Sequence, residues 1–369
     1  MRRTQLAHSP DVAQELDFRG LLLEWYRTSH RDLPWRHTRD PYAIWVSEIM
    51  LQQTRVETVV PYYVRFLDSF PTVHALAEAP LDEVLERWSG LGYYRRARLL
   101  HEGARAVARD GMPEDAAALR SIPGIGEYTA GAIASIAYGQ QAPLVDGNVA
   151  RVLARLHAIE GDVSRGTIRK RLWMLAGELV RGEDPGALNQ ALMELGATVC
   201  TPRAPSCEAC PLARGCVARA QRRTAFIPAA RKKTAVKAWR RVALVARSNG
   251  TFLLARRKEH LVFGGLWEPP SADGVGPRAA AALAKRFVKG TPERVGTVRH
   301  LLSHRDLRVD VWVLHHAKAV RGMRLRPDYD RCEWVEGIEH ASVSEHVSLC
   351  FPRALSTLAK KILAAAFER

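Results

Sequence analysis

The chain has 369 residues, 47% hydrophobic content and a formal net charge of +16, enough to bury the cores of two or three domains. No apolar run approaches the roughly 18 residues that a membrane-crossing helix needs, and the first residues lack the apolar stretch of a secretory signal, with Asp11, Glu15 and Asp17 close behind. The positive charge points to a polyanionic partner, most of all where it is concentrated: residues 221–260 carry twelve Lys and Arg against one acid, Glu259, with Trp239 interleaved.

Residues 1–220 read as almost entirely helical. Pro41 opens a segment through Phe70 with apolar residues at helical spacing, among them Ile44, Trp45, Ile49, Val56, Val59 and Val60. On that face Glu48 keeps the company of Ile44, Trp45 and Leu51, surroundings that raise a carboxyl pKa. An ion pair with Arg55 on a solvated face is the plainer alternative. Further helices are expected at about 81–88, 94–110, 127–138, 148–159, 165–181 and 186–199, parted by Pro80, the Gly90–Gly92 turn, Gly111, Pro123, Gly139 and Gly161.

Within this region Ser121-Ile-Pro-Gly-Ile-Gly126 followed by Glu127 spells a tight turn between two helices, about 115–135. Gly124 and Gly126 turn the chain, and the exposed N–H groups of the next helix can hold a phosphate without reading a base. An ordinary packing corner would use similar residues. Val145-Asp-Gly-Asn148 then sets Asp146 just before a periodic helix, where it can cap and still turn one oxygen toward a cleft.

Cys200, Cys207, Cys210 and Cys216 follow in a C-x6-C-x2-C-x5-C pattern. Four thiolates this dense can satisfy four positions around iron or zinc. Zinc ribbons pair two C-x2-C knuckles and this chain has one, so the spacing favours an iron–sulfur cluster. Residues 221–241 hold eight basic residues, no acid and Pro228, and read as a linker. Strand-like runs at Val242–Ala246, Thr251–Ala255, Leu307–Leu314 and Arg331–Val335, with helices at about 277–288 and 352–367, make residues 242–369 an α+β domain.

Together these segments resemble the endonuclease III superfamily of helix–hairpin–helix DNA base-excision glycosylases, and within it the A/G-specific adenine DNA glycosylases of the MutY type. The resemblance rests on Leu33-Pro-Trp-Arg36, Trp45–Arg55, Gly90-Leu-Gly-Tyr-Tyr-Arg95, Ile122–Ala130, Val145–Asn148, Asn189–Gly196 and the cysteine loop, densely over residues 18–217. The C-terminal part resembles a MutT-related, Nudix-like domain through Gly264-Gly-Leu-Trp-Glu-Pro-Pro270. The metal-binding R-E-x-x-E-E helix of active pyrophosphatases is missing, since residues 277–288 carry no acid.

The resemblance implies an all-α glycosylase domain joined to a Nudix-like α+β domain that recognises the lesion. It implies that Glu48 protonates a departing adenine, Asp146 stabilises the sugar cation, and Asn148 orients Asp146 or the water. Tyr128 stands where strand-cleaving relatives carry a lysine, so base removal without efficient strand cleavage is expected. Gln53 and Tyr93 match wedge positions that fill the gap left by a flipped base. Ser303 and His304 match a Phe-Ser-His loop reading 8-oxoguanine, with Leu302 departing from the pattern. The implied cofactor is one four-iron, four-sulfur cluster on the four cysteines. The expected partner is duplex DNA with A opposite 8-oxoguanine or G, met by a monomer in the cytoplasm. Rival readings are a lyase acting on oxidised pyrimidines and a catalytically silent damage-binding protein.

Overall fold

The computed structural model describes residues 17–229, 235–302, 304–320, 325–341, 347–350 and 353–367. Helices come first: α1 (Phe18–Ser29), α2 (Pro41–Leu51), α3 (Val56–Ser69), α4 (Val73–Glu78), α5 (Leu81–Arg87), α6 (Arg95–Asp110), α7 (Ala116–Leu119), α8 (Glu127–Ile136), α9 (Gly147–Leu156), α10 (Gly166–Leu179), α11 (Pro185–Thr198) and α12 (Val217–Ala220). Contacts divide the chain into two compact units, Met1–Glu48 with Met112–Arg231, and Ile49–Gly111 with Lys232–Arg369.

The single periodic segment expected from Pro41 to Phe70 is two helices. Backbone reversal at Gln53, with φ of 58°, ends α2, and the extended residue Arg55 starts α3. Apolar periodicity does not register a break this short. In the first unit, Leu22 and Tyr26 of α1 pack with Val149 and Leu153 of α9, Leu172 of α10 and Leu188, Leu192 and Leu195 of α11. Helix α11 is buried nearly all round, which brings the polar Asn189 and Glu194 inside. Asn189 Nδ2 donates to Ser135 Oγ at 2.8 Å and the Ala142 carbonyl at 2.9 Å, tying α11 to α8 and the loop that follows it.

The second unit carries the strands. They are β1 (Lys237–Ser248), β2 (Thr251–Arg257), β3 (Trp267–Glu268) and β4 (Ser271–Asp273), then helix α13 (Gly276–Phe287), β5 (Val288–Lys289), β6 (Glu293–Leu301), β7 (Arg305–Leu314), β8 (Lys318–Ala319), β9 (Tyr329–Glu336), β10 (Ile338–Ala341), β11 (Val347–Cys350) and helix α14 (Thr357–Phe367). The main sheet runs β3-β2-β1-β7-β6, with β4 also on β1 and β9 also on β2. Strands β1 and β7 pair in parallel from Lys237↔Arg305 to Ala246↔Leu314, so β1 begins at Lys237 rather than at the apolar run from Val242. That run is apolar throughout because both faces are covered. Ala243 and Val245 face the layer holding Leu358 and Ile362 of α14, while Val242, Leu244 and Ala246 face Leu283 and Phe287 of α13.

The glycine–tryptophan motif does structural work in this domain. Trp267 is buried and Glu268 sits in the interior, where its Oε1 accepts from Ser271 Oγ at 2.7 Å, Tyr329 OH at 2.7 Å and Arg257 Nη1 at 3.0 Å. Burial alone would push this carboxyl's pKa up; Arg241, Arg257 and the two hydroxyls reverse that and hold it below the usual range.

Candidate active site

Helix α2 is apolar on every side and buried over Tyr42–Met50, so Glu48 is carried inside with 4% of its surface exposed. Tyr128 of α8, partly buried, donates its hydroxyl to Glu48 Oε2 at 2.5 Å and lies 3.1 Å from Met193 Sδ on α11. Burial pushes the Glu48 carboxyl up to about 7; the Tyr128 hydrogen bond and the Arg36 guanidinium pull against it, and the charge of Asp146 pushes the same way as burial. The phenol of Tyr128 is itself held well above its ordinary value by burial and by the nearby carboxylates, so it stays protonated.

Asp146 is built differently. As N-cap of α9 its Oδ1 accepts from the Val149 N–H at 2.7 Å, and its Oδ2 accepts from Asn148 Nδ2 at 3.1 Å. Burial raises its pKa, against the Val149 and Asn148 hydrogen bonds and the Arg151 charge, all of which favour the anion. Burial acts on both carboxyls, but among the described residues Glu48 has the Tyr128 donor alone, whereas Asp146 has Val149 and Asn148. The extra donors on Asp146 favour its anion more than the single Tyr128 bond favours that of Glu48. The N-cap reading of Asp146 holds, with Oδ1 on the Val149 N–H.

Arg151 and Glu194 were not singled out from sequence, although Glu194 lies in the Asn189–Gly196 segment. Arg151 Nη2 donates to Asn148 Oδ1 at 2.8 Å and to the Gly196 carbonyl at 2.7 Å, while its Nε reaches the Cys200 carbonyl at 2.7 Å. A Cβ added at Gly196 would come within 2.6 Å of Asn148 Cβ, so only glycine lets α11 pass this close to α9. Glu194, with a fully buried side chain, takes a two-pronged bond from Arg31 (2.8 and 2.9 Å) and one from Arg36 Nη2 at 2.7 Å. Burial would raise its pKa, yet Arg31 and Arg36 hold it at about 2. This lock fixes Arg36, whose charge acts on Glu48.

The hairpin lies between α7 and α8. Gly124 takes φ of +83°, and exposed Gly126 precedes α8, whose first turn has no side-chain cap. Tyr128 is the second residue of that helix, so the turn also positions its hydrogen bond to Glu48.

Cys200, Cys207, Cys210 and Cys216 line one cavity of about 30 Å³ with Arg155 and Arg219. Burial pushes the Cys210 thiol up to about 11, and the other three sulfurs add to the rise. Arg155 spans the loop: its Nη1 donates to Cys200 Sγ at 3.3 Å and the Thr201 carbonyl at 2.7 Å, and its Nε to the Ile227 carbonyl at 2.8 Å. Among the described residues, no three His, Cys, Asp or Glu converge as a single-ion site; the thiols ring a space instead.

In the second unit Gln53, Tyr93, Leu302 and His304 line one cavity of about 720 Å³, together with Phe263 and His300. Ser303 lies outside the described residues. Leu302 packs against the apolar layer of the sheet that includes Val298 and Leu307.

Residues 46–178 match the HhH-GPD superfamily of base excision DNA repair proteins, and residues 241–361 match the NUDIX domain. An adenine DNA glycosylase of Buchnera aphidicola subsp. Schizaphis graminum is 35% identical over 260 residues, covering 69% of this chain and 75% of the relative. The chain belongs to the adenine DNA glycosylase family. The human adenine DNA glycosylase is 52% identical over 221 residues, 57% of this chain. The chain spans about 40% of the length of that human relative. A solved thermostable thymine-DNA glycosylase superimposes with a TM-score of 0.50 at 33% identity, covering 55% of this chain and 95% of that one. The family resemblance and the fold class of helical glycosylase domain plus NUDIX-type domain hold. Among the described residues no helix is long and apolar enough to cross a membrane.

Proposed function

We propose that the protein is a monofunctional adenine DNA glycosylase of base-excision repair, acting as a monomer on cytoplasmic chromosomal DNA with A opposite 8-oxoguanine or G. The observation that carries this reading is the buried Glu48 carboxyl, poised at about 7 and bonded to Tyr128. A flipped adenine presents its ring nitrogens to Glu48, which delivers a proton. The C1′–N9 bond breaks with its electron pair going to the base. The sugar left behind is an oxocarbenium-like cation, stabilised by the Asp146 carboxylate that Asn148 orients. Water adds to C1′ and loses a proton, leaving an abasic site. Tyr128 has no amine, so the Schiff base that leads to strand cleavage is not formed there.

Around this centre, Gly124 and Gly126 shape a hairpin suited to a phosphate. Gln53 and Tyr93 serve as the wedge that replaces the flipped base. The loop of Leu302, Ser303 and His304 reads 8-oxoguanine, a reading supported by the cavity that His304 shares with Gln53 and Tyr93. Cys200, Cys207, Cys210 and Cys216 would hold one four-iron, four-sulfur cluster; four thiols around one shared cavity suit it. Such a cluster supplies a structural cross-link when bound.

The test is single-turnover reaction with a duplex carrying A opposite 8-oxoguanine, resolved with and without alkali. Strand breaks that need alkali support the reading. Breaks without alkali would favour a lyase, and no adenine release at all would favour a damage-binding protein.

A further inference from the structure

Arg96 is used by nothing in the mechanism above, yet it makes an unusual set of contacts. It lies in the first turn of α6. Its Nη1 donates to the carbonyls of Ile49 at 2.8 Å, Met50 at 2.9 Å and Gln52. Its Nη2 donates to Thr54 Oγ1 at 3.1 Å and to the carbonyls of Gly92 at 3.3 Å and Leu91 at 3.4 Å. Four of these acceptors belong to the end of α2 and the turn after it. The other two belong to the glycine turn before α6. One planar cation therefore ties two chain reversals together.

Both reversals hold strained backbone at a residue offered to solvent. Gln53 has φ of 58° and Tyr93 has φ of 49°, the left-handed region that side chains other than Gly, Asn and Asp seldom adopt. Such conformations are unfavourable and persist where neighbours over-determine them. The neighbour here is Arg96. It takes up carbonyls that α2 leaves without an intrahelical partner. Its Cζ also stands 5.4 Å from the ring centroids of both Trp88 and Tyr93. Trp88 is fully buried and donates its Nε1 to the Gly92 carbonyl at 3.1 Å, so the second turn is anchored from below. Tyr93 remains 46% exposed.

We propose that Arg96 is a positioning residue for base extrusion, holding the Gln53 and Tyr93 turns at a fixed separation so that the two side chains enter the duplex as one wedge. A direct phosphate contact is a poor alternative, because the guanidinium's terminal N–H groups already face six acceptors and its Nε is buried. Burial lowers its pKa to about 10, which leaves it a cation at neutral pH. The proposal rests on the wedge reading of Gln53 and Tyr93.

The experiment follows 2-aminopurine fluorescence by stopped flow, with that base placed opposite 8-oxoguanine in a duplex. The proteins compared are the full chain, Arg96→Lys, Arg96→Met, Gln53→Ala/Tyr93→Ala and the combination of Arg96→Lys with that pair. Lysine keeps the charge and loses the fork, so it separates geometry from electrostatics, and it carries the test if the Met variant melts early. Arg96→Lys should slow the unstacking phase by about 10-fold or more, as misplacement by an ångström does elsewhere. Affinity for an undamaged duplex should change little. Adding Arg96→Lys to Gln53→Ala/Tyr93→Ala should slow unstacking no further. Independent, multiplying effects, or full rescue by lysine, would overturn the proposal alone. Unaltered unstacking in Gln53→Ala/Tyr93→Ala would overturn the wedge reading and this proposal with it.

Discussion

A carboxyl that gives up its proton near neutrality must be kept from ionising earlier, and burial does this for Glu48. The same burial sets a cost. A folded-state pKa of about 7 lies above the ordinary 4.5, so the unfolded chain ionises first as pH rises. Stability from this group is full below about 4.5 and is lost as pH climbs through about 7, by on the order of 3 kcal/mol. Glu48→Gln should therefore melt higher than the parent at about pH 8, with the gap narrowing toward pH 5. The variant should also lose about 10²–10⁴-fold or more in adenine excision. Equal melting differences at both pH values would mean that Glu48 does not titrate in this window. Tyr128→Phe removes a hydrogen bond that favours the Glu48 anion. The alkaline limb of the rate profile should then move to higher pH, and a limb that moves down would contradict the assigned donor. The apolar stripe around Glu48 was legible in the sequence. Its partnership with Tyr128, 80 residues away, was not, because periodicity carries no information on which helices meet.

At the scale of elements, the crossing of α9 and α11 turns on Gly196. Helix propensity alone favours Ala over Gly by about 1 kcal/mol. Contact with Asn148 opposes it, and overpacking of this kind costs about 1–3 kcal/mol. Gly196→Ala should therefore lower the thermal midpoint and slow excision by displacing the Asp146–Asn148 pair. A rise in midpoint at unchanged rate would show that the helices part freely. The helix breakers Gly90, Gly111 and Gly139 marked element ends well from sequence alone. The reversal at Gln53 was invisible, since Gln52-Gln53-Thr54 contains no glycine or proline and its conformation is imposed from outside by Arg96. Strand β6 went unread for a related reason: its surface is mostly exposed and shows no clean alternation.

At the scale of the whole chain, two buried ionic locks stand in different parts of the fold, Glu194 with Arg31 and Arg36, and Glu268 with Arg257 and Arg241. Glu268→Gln would leave buried Arg257 short of its counter-charge, with Arg241 still beside Asp273, and breaking a buried pair costs about 3–5 kcal/mol. Unfolding followed by Trp fluorescence should show an earlier transition in this variant, while release of adenine from an A opposite G duplex survives below that transition. Simultaneous loss of both would mean that the two parts unfold as one.

Helix α13 has a consequence at the bench. The segment Gly276–Phe287 offers Arg, Lys and Ala where pyrophosphatases of this fold set a row of carboxylates. That helix therefore offers no carboxylate to grip magnesium or calcium. Adenine release should therefore run at full rate in EDTA, and a nucleoside triphosphate mixed with the protein and magnesium should remain intact.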